Sequence, residues 1–245
     1  MEQFRVTPLI PLHIGGYDVS FTNQALVMCV IVGLISLFTV MALTKRQLVP
    51  GRMQSIAELT YEFVGNMIHS SAGDAGYRFF PFVFTIFVFV LFANVMGLIP
   101  GVFTVTSQIA VTFALAMLVI LAVIVTGFIR YGFGFLKLFV PKAPLVLLIL
   151  LVPIELISFL TRPISLSVRL FANMLAGHTM LKVFAGFVIS LGGAGGILSV
   201  LSIAPMAMIV AISALELLVA VLQAYIFAIL TCIYLNDALN LHESH

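Results

Sequence analysis

Residues 79–129 read FFPFVFTIFVFVLFANVMGLIPGVFTVTSQIAVTFALAMLVILAVIVTGFI, 51 consecutive residues without one Asp, Glu, Lys or Arg. A hydrocarbon core about 30 Å thick is crossed by a helix of about 20 apolar residues, so the run is too long for one span and sufficient for two. Gly97, Pro100 and Gly101 sit near its middle and predict the break. The stretch is expected to form a transmembrane hairpin with an uncharged loop.

Working outward, Ala25 to Thr44 is another uncharged run, closed by Lys45 and Arg46. That is the pattern of a first membrane helix with basic residues at its inner end, which puts the N-terminus outside and the C-terminus in the cytoplasm. The stretch 52–70 differs in kind: Met53, Ile56, Leu59, Phe63 and Met67 recur every three or four residues, while Glu58, Glu62 and Asn66 take another face. This periodicity predicts an amphipathic helix lying on the inner surface. Arg130, Lys137 and Lys142 follow the hairpin and join Lys45, Arg46, Arg52 and Arg78, so seven of the eleven basic residues fall on one predicted side.

Two very long apolar segments remain, 143–190 and 199–237, joined by the helix breaker Leu191-Gly192-Gly193-Ala194-Gly195-Gly196. A helix over the first of them would be about 72 Å long against a core of about 30 Å, so this second hairpin must tilt, kink or leave the bilayer. Pro153, Pro163 and Pro205 are candidate kink sites. The expected fold is a single all-α polytopic membrane domain over residues 1–245, with about five membrane-embedded helices, one surface amphipathic helix, and a long, strongly tilted final hairpin.

Composition narrows the function. With 62% hydrophobic and 8% charged residues, the chain leaves no room for a soluble catalytic domain. A net charge of +2 without any basic run argues against nucleic acid. There is no phosphate-binding Gly-rich motif with Lys, no metal-ligand spacing and no nucleophile with a neighbouring base, so covalent chemistry, cofactor and metal are not expected. Cys29 and Cys232 are isolated thiols that suit packing. The first 24 residues lack the pattern of a signal or transit peptide and are expected to be retained.

Arg169 is then the residue that most needs explaining. A guanidinium inside a membrane helix costs about 2.5 to 3.5 kcal/mol on insertion scales and about 10 to 17 kcal/mol in simulations, so it calls for a partner, water or a task. At 100° per residue, Glu155, Ser158, Arg162, Ser165 and Asn173 all fall within about 40° of Arg169, which gives one narrow polar seam. His178 lies on the far side of the same helix with Lys182. On the returning segment Glu216 and Gln223 share a face, which Tyr234 and Asp237 extend. Counted from the Gly-rich turn, Arg169 and Gln223 stand at similar depth, as do His178 and Glu216, so an antiparallel hairpin can bring each pair together. An imidazole and a desolvated carboxylate can exchange protons near neutral pH, whereas a guanidinium cannot. A proton relay is one reading of His178 and Glu216; hydrogen-bonded packing between helices is the other. Glu155, nearer the inner end, is equally well a solvated carboxylate.

Three segments carry a specific likeness: Pro163 to His178 (PISLSVRLFANMLAGH), Glu216 to Phe227 (ELLVAVLQAYIF) and Ala93 to Pro100 (ANVMGLIP). Together they resemble subunit a of F-type ATP synthases, called subunit 6 in mitochondria, and the likeness runs over essentially the whole chain. The resemblance implies a transmembrane helix, a surface helix, a transmembrane hairpin and a tilted hairpin curving along a ring of c subunits. It places the family's essential arginine at Arg169, its neighbouring Asn at Asn173 and the accompanying Gln at Gln223, and it reads the acid and imidazole positions as Glu216 and His178.

Implied with it is a stator subunit that performs no covalent chemistry and offers two offset proton half-channels to carboxylates on the c-ring. Glu216 and His178 would line the outer one and Glu155 the inner one, with Arg169 between them. The implied partners are the c-subunit rotor ring, b-type peripheral stalk subunits, the other ATP synthase subunits and membrane lipid. The implied location is a bacterial inner membrane or, alternatively, a mitochondrial one. A self-contained transporter would show repeated halves, which are not visible here. A purely structural membrane subunit would not explain Arg169 together with His178 and Glu216.

Overall fold

The computed structural model describes residues 6–11, 13–14, 17–18, 20–44, 50–99, 101–139 and 145–239. Helix α1 (Asn23–Thr44) is apolar all round and buries only Ile31 and Ala42, so nearly its whole surface is left for lipid or a partner. Two short antiparallel pairings precede it, Pro8–Ile10 with Phe21–Thr22 and His13–Ile14 with Tyr17–Asp18. The all-α expectation did not include them.

Helix α2 (Arg52–Gly76) carries the amphipathic pattern, with Val64, Met67, Ile68 and Ala72 buried. It runs longer than the predicted 52–70. Gly73, at φ 60°, interrupts its regular geometry near the end, a backbone conformation that glycine adopts without penalty. A 3-10 turn, Tyr77–Phe79, leads directly into α3 (Phe80–Gly97), whose Pro81 sits in the first turn where no helical N–H is lost. Helix α3 buries side chains on several faces, from Phe80 and Val83 through Val90 to Ala93, Asn94 and Gly97. That makes it a central helix of the bundle.

The break predicted between the halves of the first hairpin falls after Gly97, where a loop containing the 3-10 turn Val105–Ser107 folds inward and is buried. Helix α4 (Ile109–Tyr131) returns and ends at Gly132, φ 54°. Helix α5 (Leu145–Gly193) is continuous over 49 residues and includes both Pro153 and Pro163. A one-turn helix α6 (Ile197–Leu201) and the 37-residue α7 (Ile203–Leu239) complete the chain. Pro205 is the third residue of α7, where its missing N–H has no helical partner to lose, so it is not a kink site. Lys45, Arg46, Pro100 and Lys142, which figured in the sequence reading, lie outside the described residues, as does the Lys137 side chain.

Among the described residues, five helical segments are long and apolar enough to cross a membrane: Asn23–Thr44, Arg52–Gly97, Ile109–Phe135, Leu147–Gly193 and Ser199–Leu239. The chain is an all-α polytopic membrane protein. Its main core joins Val64 and Ile68 of α2, Val83 and Val90 of α3, Val119 and Val123 of α4, Leu166 and Leu170 of α5, and Phe227 and Ala228 of α7. The second half of α7 thus runs through the bundle. Its first half and the last turns of α5 expose large apolar side chains such as Val210 and Ile189.

Candidate functional site

Burial along α5 shows which side meets the bundle. Phe159, Leu166, Leu170, Met174 and His178 are buried at steps of four or seven residues. Ser158, Ser165 and Arg169 are exposed, while Glu155, Arg162 and Asn173 are half-buried between the two sides. The polar seam therefore runs along the margin of the packed surface. Arg169 is exposed on this seam between Ser165 and Ala172, one turn away on either side, and it has no hydrogen bond or ion pair among the described residues.

Two turns away the other guanidinium is fully engaged. Arg162 Nη1 donates to Asp237 Oδ2 at 3.2 Å, and the two side chains are only 27% and 29% exposed. Its Cζ lies 4.9 Å from the Tyr234 ring centroid and 5.7 Å from that of Phe159. A planar cation stacked on aromatic faces and paired with a carboxylate is well held. Tyr234 lies within electrostatic reach of Arg162, Arg169 and Asp237 together.

Toward the Gly-rich turn the polar groups meet differently. The Glu216 side chain of α7 lies directly over Gly177 of α5: a Cβ added there would overlap the carboxyl group. The next residue, His178, is buried, with Nε2 3.4 Å from Thr104 Oγ1 and the Gly97 carbonyl as a backbone partner. Lys182, one turn on, is in electrostatic reach of the ring. The Thr104 hydroxyl also donates to the Gly97 carbonyl at 3.4 Å, and the Ser107 hydroxyl donates to the Thr104 carbonyl at 2.6 Å. Gly97 is pinned here as well, since a Cβ would come within 2.8 Å of Thr104 Cγ2 and 3.0 Å of Met174 Cε.

One turn along α7 from Glu216, the Asn94 amide of α3 donates to the Ala220 carbonyl at 3.2 Å. Asn94 Oδ1 and Thr106 Oγ1 are buried and have no hydrogen-bond partner among the described residues. Gln223 is buried one turn further on.

The structure thus brings the neighbourhood of His178 and that of Glu216 together across Gly177. It does not join Arg169 to Gln223: one is exposed, the other buried, and no hydrogen bond links them among the described residues. Glu155 and Asn173 stay half-buried on the seam. Sequence reasoning missed Thr104, Gly177 and the bond from Asn94 to Ala220. A lone Asn in an uncharged helix was a usable signal, because such a residue hydrogen-bonds across helices. Nothing in the sequence pointed to Thr104, whose position depends on how the loop folds inward.

Known proteins resemble this one along its length. A family model described as ATP synthase A chain matches residues 25–236. A protein of Mesorhizobium japonicum called ATP synthase subunit a is 61% identical over 100% of this chain and 97% of its own length. Proteins of the same name from Chelativorans sp. and Rhodospirillum rubrum are 60% and 53% identical, covering 100% and 99% of this chain and 98% of their own lengths. With a match over most of its residues and relatives above half identity, this chain belongs to the ATP synthase A chain family, the non-catalytic subunit a of the membrane sector.

Proposed function

We propose that this chain is the proton-conducting stator of a bacterial plasma-membrane ATP synthase, and that Arg169 separates an outer from an inner half-channel leading to carboxylates on a c-subunit ring. The observation that carries the reading is Arg169 itself, a guanidinium exposed on a membrane helix and unpaired among the described residues. An isolated charge there is costly, and a rotor carboxylate passing that face is a counter-ion that compensates it. At 4 Å and an effective dielectric of 20 the attraction is about 4 kcal/mol, which favours the deprotonated rotor site by about three pKa units before desolvation.

On this reading Glu216 and His178 line the outer inlet, and the Glu155 end of α5 opens to the cytoplasm. Asn94 Oδ1 and Thr106 Oγ1, without a partner among the described residues, are groups that water in the inlet would satisfy. Gln223 and Asn173 flank the arginine. The N-terminus lies outside, and α5 and α7 lie steeply tilted along the ring, because a 49-residue helix spans about 73 Å. The fixed positive charge also bars a direct proton leak between the half-channels, preserving a driving force of about 2.3 kcal/mol per charge per 100 mV. A b-type stalk subunit holds the chain against rotation.

The test is Arg169→Ala in membrane vesicles bearing the whole complex, after subunit assembly is verified. ATP synthesis should vanish, with or without a new passive leak. Normal synthesis with normal coupling would overturn the reading. His178→Ala should also alter the pH dependence of ATP-driven pumping; a profile superimposable on wild type would leave the ring as a packing residue.

A further inference from the structure

Of the two arginines on the α5 seam, Arg162 is paired and Arg169 has no partner among the described residues. Among the residues of α7 the carboxylates are Glu216, near the Gly-rich turn, and Asp237, near the C-terminus. The acid of α5 itself, Glu155, is fourteen residues from Arg169, about 21 Å along the helix. Asp237 is nearer. Its contact, Arg162, lies seven residues or about 10 Å along the axis from Arg169, and Tyr234, one turn before Asp237, is in the electrostatic field of both arginines. Arginine and aspartate side chains are long and short reaches from their backbones, so an uncommitted Asp237 has Arg169 as the next guanidinium to turn to.

We infer that Arg162 is a positioning residue for Arg169: by holding Asp237 in the ion pair it keeps a competing carboxylate of the same chain away from Arg169, whose charge then stays available to the rotor carboxylate. This rests on the proposed role of Arg169. The geometry suits such a role better than a conducting one. Arg162 is immobilised by Asp237 on one side and by the Phe159 and Tyr234 rings on others, so it has no freedom to follow a moving partner. Arg169 has neither an acid nor a ring contact among the described residues. An arginine that must pair transiently needs its permanent partners removed, and a neighbouring arginine that sequesters a nearby acid achieves that.

The decisive comparison is epistatic and uses the whole complex in membrane vesicles. Arg162→Gln should lower ATP synthesis by about tenfold or more, because the released Asp237 turns to Arg169. Asp237→Asn should stay within about twofold of wild type, since it creates no competitor and leaves Arg162 stacked on two rings. The double variant should recover to within about threefold of wild type, because neither the sequestering cation nor the competing acid is present. A double variant as defective as Arg162→Gln would overturn the inference, as would a normal Arg162→Gln enzyme. Should Arg162→Gln fail to assemble, the double variant still decides: an assembled and active complex supports sequestration, and an unassembled one overturns it. Arg169→Ala in the same preparation separates the two levels. If it abolishes synthesis while the double variant fails to recover, only the Arg162 inference falls; if it leaves synthesis intact, the role of Arg169 falls and takes the inference with it.

Discussion

At the C-terminal end of the α5–α7 pair, Arg162 meets Asp237 at 3.2 Å with two aromatic rings around it. Toward the Gly-rich turn, the carboxylate of Glu216 rests on a glycine, and the His178 ring has a hydroxyl contact at 3.4 Å. Both regions hold titratable or charged groups inside an apolar helix pair, yet among the described residues Asp237 is closed by an ion pair and Glu216 has none. A paired charge is fixed, because breaking one partner of a partly buried pair leaves the other stranded. A carboxylate without a cation can change its protonation at lower cost, which is the property a proton path requires. On the proposed function, the contrast fits anchoring at one end and proton transfer at the other.

The largest way to break that contrast is Glu216→Gln, which keeps size and polarity but cannot carry a proton. ATP-driven pumping should fall by about tenfold or more, the usual scale for losing a positioned proton-transfer group, while the assembled amount of complex stays near wild type. Unchanged pumping would place Glu216 with the anchoring groups instead.

Gly177→Ala sharpens the same contrast with a smaller effect. The atoms that a new methyl meets belong to the far end of a flexible side chain, so the glutamate yields rather than the helices. Of the overpacking cost of about 1 to 3 kcal/mol typical of a rigid site, little should appear as lost stability. Pumping should drop several-fold, since the carboxylate is displaced from the His178 side of the gap. At Gly127 the added methyl would instead meet the Phe135 ring, so Gly127→Ala should show the opposite split, lowered thermal stability of the complex with transport per assembled complex retained.

How far these features could be read in the sequence depends on whether they are local. Charge-free runs fix where helices cross, and the Gly-rich segment before α6 marks the turn, because both follow from bilayer thickness and backbone freedom. The seam through Arg169 follows from helical periodicity alone. The continuity of α5 through Pro153 and Pro163 was not legible, since proline permits both a kink and an accommodated helix. The direct passage from α2 into α3 was missed because the sharp change from an amphipathic to a charge-free stretch read as a break, and the break at Ser202 because no change in hydropathy marks it. Within the site, Arg169 stood out by its cost, whereas the partner of Arg162 depends on which face of α5 meets α7. Thr104 was invisible because an uncharged loop gives no sign that it folds inward.

The smallest predicted effect concerns the anchoring end and tests whether its aromatic wall contributes on its own. Tyr234→Phe keeps a ring 4.9 Å from the Arg162 guanidinium and removes only the hydroxyl, whereas Tyr234→Leu removes the ring itself. Cation–π contacts are worth about 0.5 to 1 kcal/mol when exposed and about 2 kcal/mol when desolvated, and Arg162 lies between those limits. Thermal unfolding of the assembled complex should therefore be unchanged within error for Phe and lowered by about 1 kcal/mol for Leu. If the Phe variant were as destabilised as the Leu variant, the hydroxyl would be the element that matters, and Tyr234 would belong with the polar groups around Arg169 rather than with the clamp on Arg162.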